Sequence, residues 1–255
     1  MAAVTRRILE FLEHLGEAVV DERRPAAHGT ALLTPSLPLV WQLNVLRAED
    51  PEADAAALAA EAELLFGTLA HRKVLVYDEE RGVALAPGFR ALGWNVFRLI
   101  LMVRTWPPER PPPPGAGGEI SRASGARAIQ AFRREQPFGW QDEALRQLAE
   151  MDERFGRATA TGRDFGAPPD DPACACRLYV NGRIGQVEEV GTVEARRGHG
   201  HASAAVLAAA DAARADGCEL VFLTTDGGDW PQHWYRRLGF EEAGAYYEFL
   251  KLPLG

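Results

Sequence analysis

One stretch constrains this chain more than any other. Residues 183–193 read as a strand that runs into Glu194-Ala195-Arg196-Arg197-Gly198-His199-Gly200-His201-Ala202, and the alanine-rich residues 201–216 after it read as a helix. A strand, a glycine loop and a helix in that order aim several backbone N–H groups at one point. The helix N-terminus adds partial positive charge there. Gly198 and Gly200 let the backbone approach an anion with no Cβ in the way, and Ala202 keeps the first helical turn narrow. Arg196 or Arg197 can add a charge-assisted contact. The junction suits a pyrophosphate and requires an α/β fold to present it.

The rest of the chain supplies such a fold, and supplies it twice. Residues 107–118 read PPERPPPPGAGG, which cannot build a core. The expected division is a domain at 1–106, a Pro/Gly-rich linker at 107–117 and a second domain at 118–255. Ahead of the linker, strands are expected at 39–46, 73–77 and 95–103, with helices at 6–20, 54–71 and 87–92. After it, strands are expected at 118–121, 164–167, 173–180, 183–193, 220–225 and 245–252. Helices are expected at 125–135, 141–155, 201–216 and 230–238. Asn181-Gly182 between two strands is the strongest hairpin signal, because both residues accept positive φ. KVLVYD, then Phe89-Arg90-Ala91-Leu92-Gly93-Trp94, then FRLILM is echoed by LVFLTTD, then Tyr235-Arg236-Arg237-Leu238-Gly239-Phe240, then YEFLKL. The shared order points to a duplicated unit. The fold class expected is α/β (α+β): a mixed central sheet with flanking helices, duplicated.

Composition narrows the function. A formal net charge of -8 gives no basic field for nucleic acid. No apolar run approaches the ~20 residues that cross a bilayer, and the N-terminus reads as an amphipathic helix with Ile8, Leu9, Phe11, Leu12 and Leu15 on one face rather than a leader. A cytoplasmic protein is expected, with no nucleic acid and no membrane partner; oligomeric state stays open. Cys174, Cys176 and Cys218 are too few and too uneven for a disulfide framework or a structural metal site, and read as strand cysteines. His199 and His201 read as loop residues, and no metal is expected.

A dinucleotide-binding βαβ unit is the nearest rival, with Asp226 at a strand end. The spacing here is G-x-G-x-x-S, however, and the strand entering the loop belongs to an antiparallel hairpin. The stretch VEARRGHGHA at 193–202 instead resembles the acetyl-CoA loop of the GCN5-related N-acetyltransferases (GNATs), Arg/Gln-x-x-Gly-x-Gly/Ala, with Arg197, Gly200 and Ala202 at the fixed positions. Trp234-Tyr235-Arg236-Arg237-Leu238-Gly239-Phe240 is similar to that family's Leu-Tyr-x-x-x-Leu-Gly-Phe ending. The resemblance covers residues 118–255, and the echo extends it weakly to 28–106, like tandem GNAT proteins in which one half has decayed. Two departures stand out: Gly227-Gly228-Asp229 replaces a cofactor-contacting asparagine, and Glu194-Ala195 replaces a proline-containing entry to the loop.

The resemblance implies direct transfer of acetyl from acetyl-CoA to the primary amine of a small molecule, with no metal. The alternatives are a non-catalytic acyl-CoA-binding or sensing module and the oxidoreductase reading. Cofactor contacts are implied for Val190, Thr192, Val193, Arg196, Arg197, Gly198, His199, Gly200, His201 and Ala202, with the backbone of 190–193 holding the pantetheine arm. Tyr235 is implied as general acid. Glu188 and Glu189 are both candidates for general base, and in a regular strand only one of two adjacent residues faces the cleft. The first half has acids in place of the glycine loop (Glu49, Asp50, Glu52, Asp54) and Phe89 in place of the tyrosine, so it is expected to bind no CoA.

Overall fold

The computed structural model describes residues 2–106 and 116–252, so most of the proline-rich linker lies outside the described residues. The chain forms two compact units. One comprises Met1–Leu101, Thr225–Asp229 and Ala243–Gly255, the other Met102–Thr224 and Trp230–Glu242. A cut at the linker does not reproduce this division, because the C-terminal strand pairs into the first unit.

The first unit opens with helix α1 (Ala2–Val19), which buries Ile8, Phe11, Leu15 and Val19. A hairpin absent from the sequence reading follows, β1 (Glu22–Ala26) and β2 (Gly29–Leu33). The strand expected at 39–46 is shorter and later, β3 (Val45–Ala48). The segment before it holds a 3₁₀ turn at Trp41–Leu43, laced by Asn44: Oδ1 accepts from the Thr34 amide at 2.8 Å, and Nδ2 donates to the carbonyls of Leu37 and Val40. Helix α2 (Ala55–Phe66) and strand β4 (Arg72–Val76) follow. Helix α3 (Glu79–Ala91) starts well before Pro87, because Asp78 caps it by accepting from the Arg81 N–H. Then comes β5 (Asn95–Arg104). With the C-terminal strand β11 (Phe240–Lys251), the order within this unit is β1-β2-β3-β4-β11-β5. β3 and β4 are parallel, Leu46 opposite Val74, and β11 lies antiparallel to β4, Phe249 opposite Val74. Leu46, Leu58, Phe66, Val74, Phe89 and Phe249 centre its core.

The second unit holds β6 (Gly118–Ile120), α4 (Arg122–Arg134), α5 (Asp142–Ala158), β7 (Thr161–Ala167), β8 (Cys174–Asn181), β9 (Ile184–Thr192), α6 (His201–Ala215), β10 (Leu220–Asp226) and α7 (Pro231–Arg237). Its order is β10-β9-β8-β7-β6. β6 to β9 form an antiparallel meander, and β9 and β10 run parallel. A doubly wound dinucleotide fold would need parallel neighbours on both sides of the glycine loop. The β8–β9 turn uses Asn181-Gly182 as expected, with Gly182 at φ +58°.

The duplication is visible in hydrogen bonds. Each unit has a parallel strand pair joined through a helix, β3-α2-β4 and β9-α6-β10. The Leu92 amide donates to Gly88 and Phe89, and Gly93 donates to Arg90; Leu238 donates to Trp234 and Tyr235, and Gly239 to Arg236. Both glycines are left-handed, at φ +76° and +82°, the usual helix C-terminal stop.

Candidate active site

The site lies in the second unit, where β9 and β10 part. Their pairing ends at Gln186 opposite Phe222, yet β9 runs on to Thr192 and β10 to Asp226. Beyond that point a cleft of about 220 Å³ is lined by Phe132, Val187, Glu188, Glu189, Val190, Thr224 and Tyr235.

A bulge in β9 shapes this cleft. Glu189 has φ +55°, a conformation that costs a non-glycine residue about 1 kcal/mol or more. The register against β8 slips there: Ala175 faces Gly191, whereas Arg177 faces Glu188. The strand's alternation reverses in consequence. A Cβ added at Gly185 would stand 3.2 Å from Ala213 of α6, whereas one at Gly191 would meet the Phe132 ring of α4 at 2.4 Å. In a regular strand these two positions share a face. Glu188 accepts from Nε2 of Gln186 at 2.8 Å, and Glu189 pairs with Nη2 of Arg133 on α4 at 2.7 Å. The extra residue therefore brings both acids to the cleft, where an unbulged strand would bring one.

Tyr235 projects from α7 and is 7% exposed. Burial, and then the negative charge of Glu188, push its phenol well above the ordinary tyrosine range. It therefore keeps its proton at neutral pH and has it available to donate. Its neighbour Trp234 donates Nε1–H to Oγ of Ser203 at 3.0 Å, tying α7 to the first turn of α6.

The glycine loop sits at the start of α6. Gly198 and Gly200 have φ +81° and +80°, and a Cβ at either would meet no atom within 4 Å. The space beside both glycines is thus open. Gly200 is the N-cap of α6 and no side chain caps the helix, so its first N–H groups face outward with their partial positive charge unspent. Nη1 of Arg196 stands 3.3 Å from Asp171 and Nη2 of Arg197 3.6 Å from Glu135. Such exposed pairs contribute little, so both guanidinium groups can be redirected to a stronger anion. Arg197 also donates Nε–H to the Thr192 carbonyl at 3.2 Å, which holds it against the end of β9. Val193 leads from β9 into the 3₁₀ turn Glu194–Arg196. These residues fit a pyrophosphate: open space, an uncapped helix N-terminus, left-handed glycines and two movable cations.

The His199 and His201 rings lie 6.0 Å apart, and among the described residues no group of three or more His, Cys, Asp and Glu is placed to hold a metal ion. Cys174 and Cys176 are buried in β8. Burial raises the Cys174 thiol to about 11 and holds Cys176 well above the ordinary thiol range, so neither is a nucleophile at neutral pH. Trp230 is 66% exposed rather than in the core.

Sequence reasoning missed Phe132 and Thr224 on the cleft wall, and it missed a buried ion network behind Glu189. Arg133 is spanned by both oxygens of Asp152 at 2.8 and 3.0 Å. Asp152 also meets Nη1 of Arg177 at 2.5 Å, and Arg177 reaches Asp164 through Nε at 3.1 Å. A legible signal was present: Arg133 continues the helical spacing of the buried Ala128 and Ile129, and a cation on an apolar stripe calls for a buried partner.

Compared with known proteins, residues 126–240 match the model of the acetyltransferase (GNAT) family. By sequence the chain finds no significant match among curated proteins. Three solved structures align over nearly the whole chain. A functionally unknown conserved protein from Staphylococcus epidermidis shares 17% identity over 91% of this chain and 93% of that one, with a TM-score of 0.65. A GCN5-related N-acetyltransferase from Kribbella flavida shares 20% over 99% and 96%, TM-score 0.64. A tandem GNAT protein from the clavulanic acid biosynthesis pathway, solved without AcCoA, shares 14% over 98% and 96%, TM-score 0.54. At these identities the likeness is one of fold.

Proposed function

We propose, from the match of residues 126–240 to the acetyltransferase (GNAT) family, that this chain transfers an acetyl group from acetyl-CoA to a primary amine of a small molecule. One observation carries the reading. The open glycine loop at the uncapped end of α6 stands at the end of β9, the strand that lines a cleft holding two carboxylates and a protonated tyrosine.

Acetyl-CoA, when bound, supplies an activated acetyl thioester. The N–H groups of 198–202 hold its pyrophosphate, with Arg196 and Arg197 as movable counter-charges. The backbone of Val190, Thr192 and Val193 orients the pantetheine arm. A backbone N–H beside the bulge, freed from the ladder, is suited to polarise a carbonyl. Glu188 and Glu189 give the cleft a negative field that favours a cationic amine. One of them removes the amine's proton, and Tyr235 protonates the departing sulfur.

Calorimetric titration with acetyl-CoA and, separately, NAD tests the cofactor. Acetyl-CoA is expected to bind at one site, and tight NAD binding without CoA binding would reject the proposal. Thiol release across an amine library then separates a transferase from an acyl-CoA sensor, which would bind without turnover. Tyr235→Phe is expected to lower kcat by ~10²-fold or more with little change in CoA affinity, and an unchanged rate removes Tyr235 from the chemistry.

A further inference from the structure

The two carboxylates of the cleft keep different company. Glu188 accepts from a neutral amide, Nε2 of Gln186, and its charge is among the influences that hold the Tyr235 phenol protonated. Glu189 meets a cation, Arg133. That cation is already neutralised: Asp152 grips it with both oxygens, and Asp152 is itself braced by Arg177. Arg122 and Asp164 extend the network, and Arg122 also meets Glu153 at 3.3 Å, so three arginines face four acids with Glu189 at the cleft end. Glu189 is the one member in that cleft, its side chain 21% exposed against 3% and 4% for Arg133 and Asp152. It can lose its charge without stranding Arg133, because the bidentate pair with Asp152 remains.

We infer that Glu189, rather than Glu188, takes the proton from the amine, and that Arg133, braced by Asp152 and Arg177, is the positioning residue that aims its carboxylate into the cleft. The assignment rests on the acetyl-transfer reading above. The amine reacts as the neutral base, an ammonium substrate having first released one proton to solvent, and an oxygen of Glu189 takes one further proton from the nitrogen as the N–C bond forms. Tyr235 gives its phenolic proton to the sulfur as the C–S bond breaks. The proton on Glu189 returns to the phenolate through solvent, so the protein ends as it began. Two neighbouring carboxylates thus have two roles set by their surroundings: Glu189 exchanges a proton, and Glu188 stands beside Tyr235.

Arg133 on α4, Asp152 on α5 and Arg177 on β8 act on Glu189, which acts in turn on Tyr179 of β8; Glu188 on β9 and Tyr235 on α7 share its cleft. Burial raises its proton affinity and Asp152 adds to this, while Arg133 and Arg177 act against it. A raised carboxyl suits a base working near neutral pH.

Two measurements test the inference on the full chain. Carboxyl NMR of the unliganded protein, assigned with Glu188→Gln and Glu189→Gln, should show Glu189 titrating above the ordinary glutamate range. Arg133→Gln should move that titration higher, and Arg133→Lys, which keeps the charge, should bring it back toward the native value. In kinetics, the acidic limb of kcat/KM should vanish in Glu189→Gln together with ~10²-fold or more of kcat, and should persist in Glu188→Gln. A limb lost with Glu188 and kept without Glu189 overturns the assignment. So does a Glu189 titration that Arg133→Gln leaves unmoved. Should Arg133→Gln not fold, Glu188→Gln and Glu189→Gln still decide, since the amide oxygen that Glu189→Gln introduces can accept from Arg133. A wild-type protein that transfers no acetyl while Glu189 still answers to Arg133 refutes the function and leaves the coupling standing.

Discussion

The N-termini of α2 and α6 are the same place in two copies of one unit, and one is closed by the chain's own carboxylate while the other is left open. Gly200 caps α6 with no side-chain bond, leaving its N–H groups facing open space. Asp54 caps α2 and accepts from the Ala57 N–H at 2.8 Å, so a carboxylate already occupies the position an anion would take. The loop before it is also committed. Asp50 accepts from the Glu52 amide at 3.0 Å and pairs with Nδ1 of His28 at 2.8 Å. The strands differ in the same sense. β3 stops at Ala48, one residue past its pairing with β4, whereas β9 continues from Gln186 to Thr192. Where α7 carries Tyr235 on the cleft, α3 carries Phe89, fully buried and stacked on Phe249 at 4.0 Å. A fold can therefore be kept while its site is closed: the helix dipole survives, and a side chain of the chain's own satisfies it.

Moving the first unit's cap into the second is the hardest test of that contrast. Gly200→Asp should abolish CoA binding, lowering affinity by ~10³-fold, about 4 kcal/mol, because a fixed carboxylate would repel the pyrophosphate and take its N–H groups. The helix should survive, since aspartate tolerates a left-handed backbone better than most residues. Calorimetry against the wild type measures the effect. Retained affinity would mean that the glycine loop is not the phosphate site and that the two N-termini differ for another reason.

The units should also separate by pH. In the first unit His71 is fully buried, its Nε2 3.2 Å from the Asn44 carbonyl and its Nδ1 without a partner among the described residues. Burial lowers its pKa from 6.5 to about 4. The unfolded chain then takes up a proton near 6.5 that the native protein refuses until about 4. Stability from this group is thus complete above about 6.5 and falls as pH drops toward 4, by on the order of 3 kcal/mol. Imidazole NMR with thermal melts between pH 7 and 4 checks this. A His71 that titrates near the ordinary value would show that the first unit's core is not sealed.

What the sequence disclosed was what local chemistry controls. The glycine loop, the Asn181-Gly182 hairpin and the repeated Leu-Gly stop each depend on the φ that a few neighbouring residues can adopt, and each stands where expected. The β1–β2 hairpin was hidden because β1 is an exposed edge carrying Pro25, with no apolar alternation to mark it. The start of α3 was misplaced because Pro87 suits a first turn, while the stronger signal lay upstream in Asp78-Glu79-Glu80. The choice between Glu188 and Glu189 was open because the bulge depends on the register of β9 against β8, which involves residues far apart in the chain. The network behind Glu189 joins α4, α5, β7 and β8, and only the folded chain brings those elements together.

The smallest expected effect is the reciprocal of the largest. Asp54→Ala removes the carboxylate that closes α2, and should cost about 1 kcal/mol through the lost cap, a melting shift of a few degrees for a unit of this size. It should not open a second CoA site. Alanine leaves the N–H groups unpartnered but supplies no left-handed glycine, no cation in place of Arg197 and no strand extension beyond Ala48, while Glu49, Asp50 and Glu52 keep the loop acidic. Calorimetric stoichiometry should stay at one CoA per chain with unchanged affinity. Two sites after this single change would show that one carboxylate alone had silenced the first unit. One site shows instead that loss of binding is distributed over cap, loop and strand, so no single residue restores it.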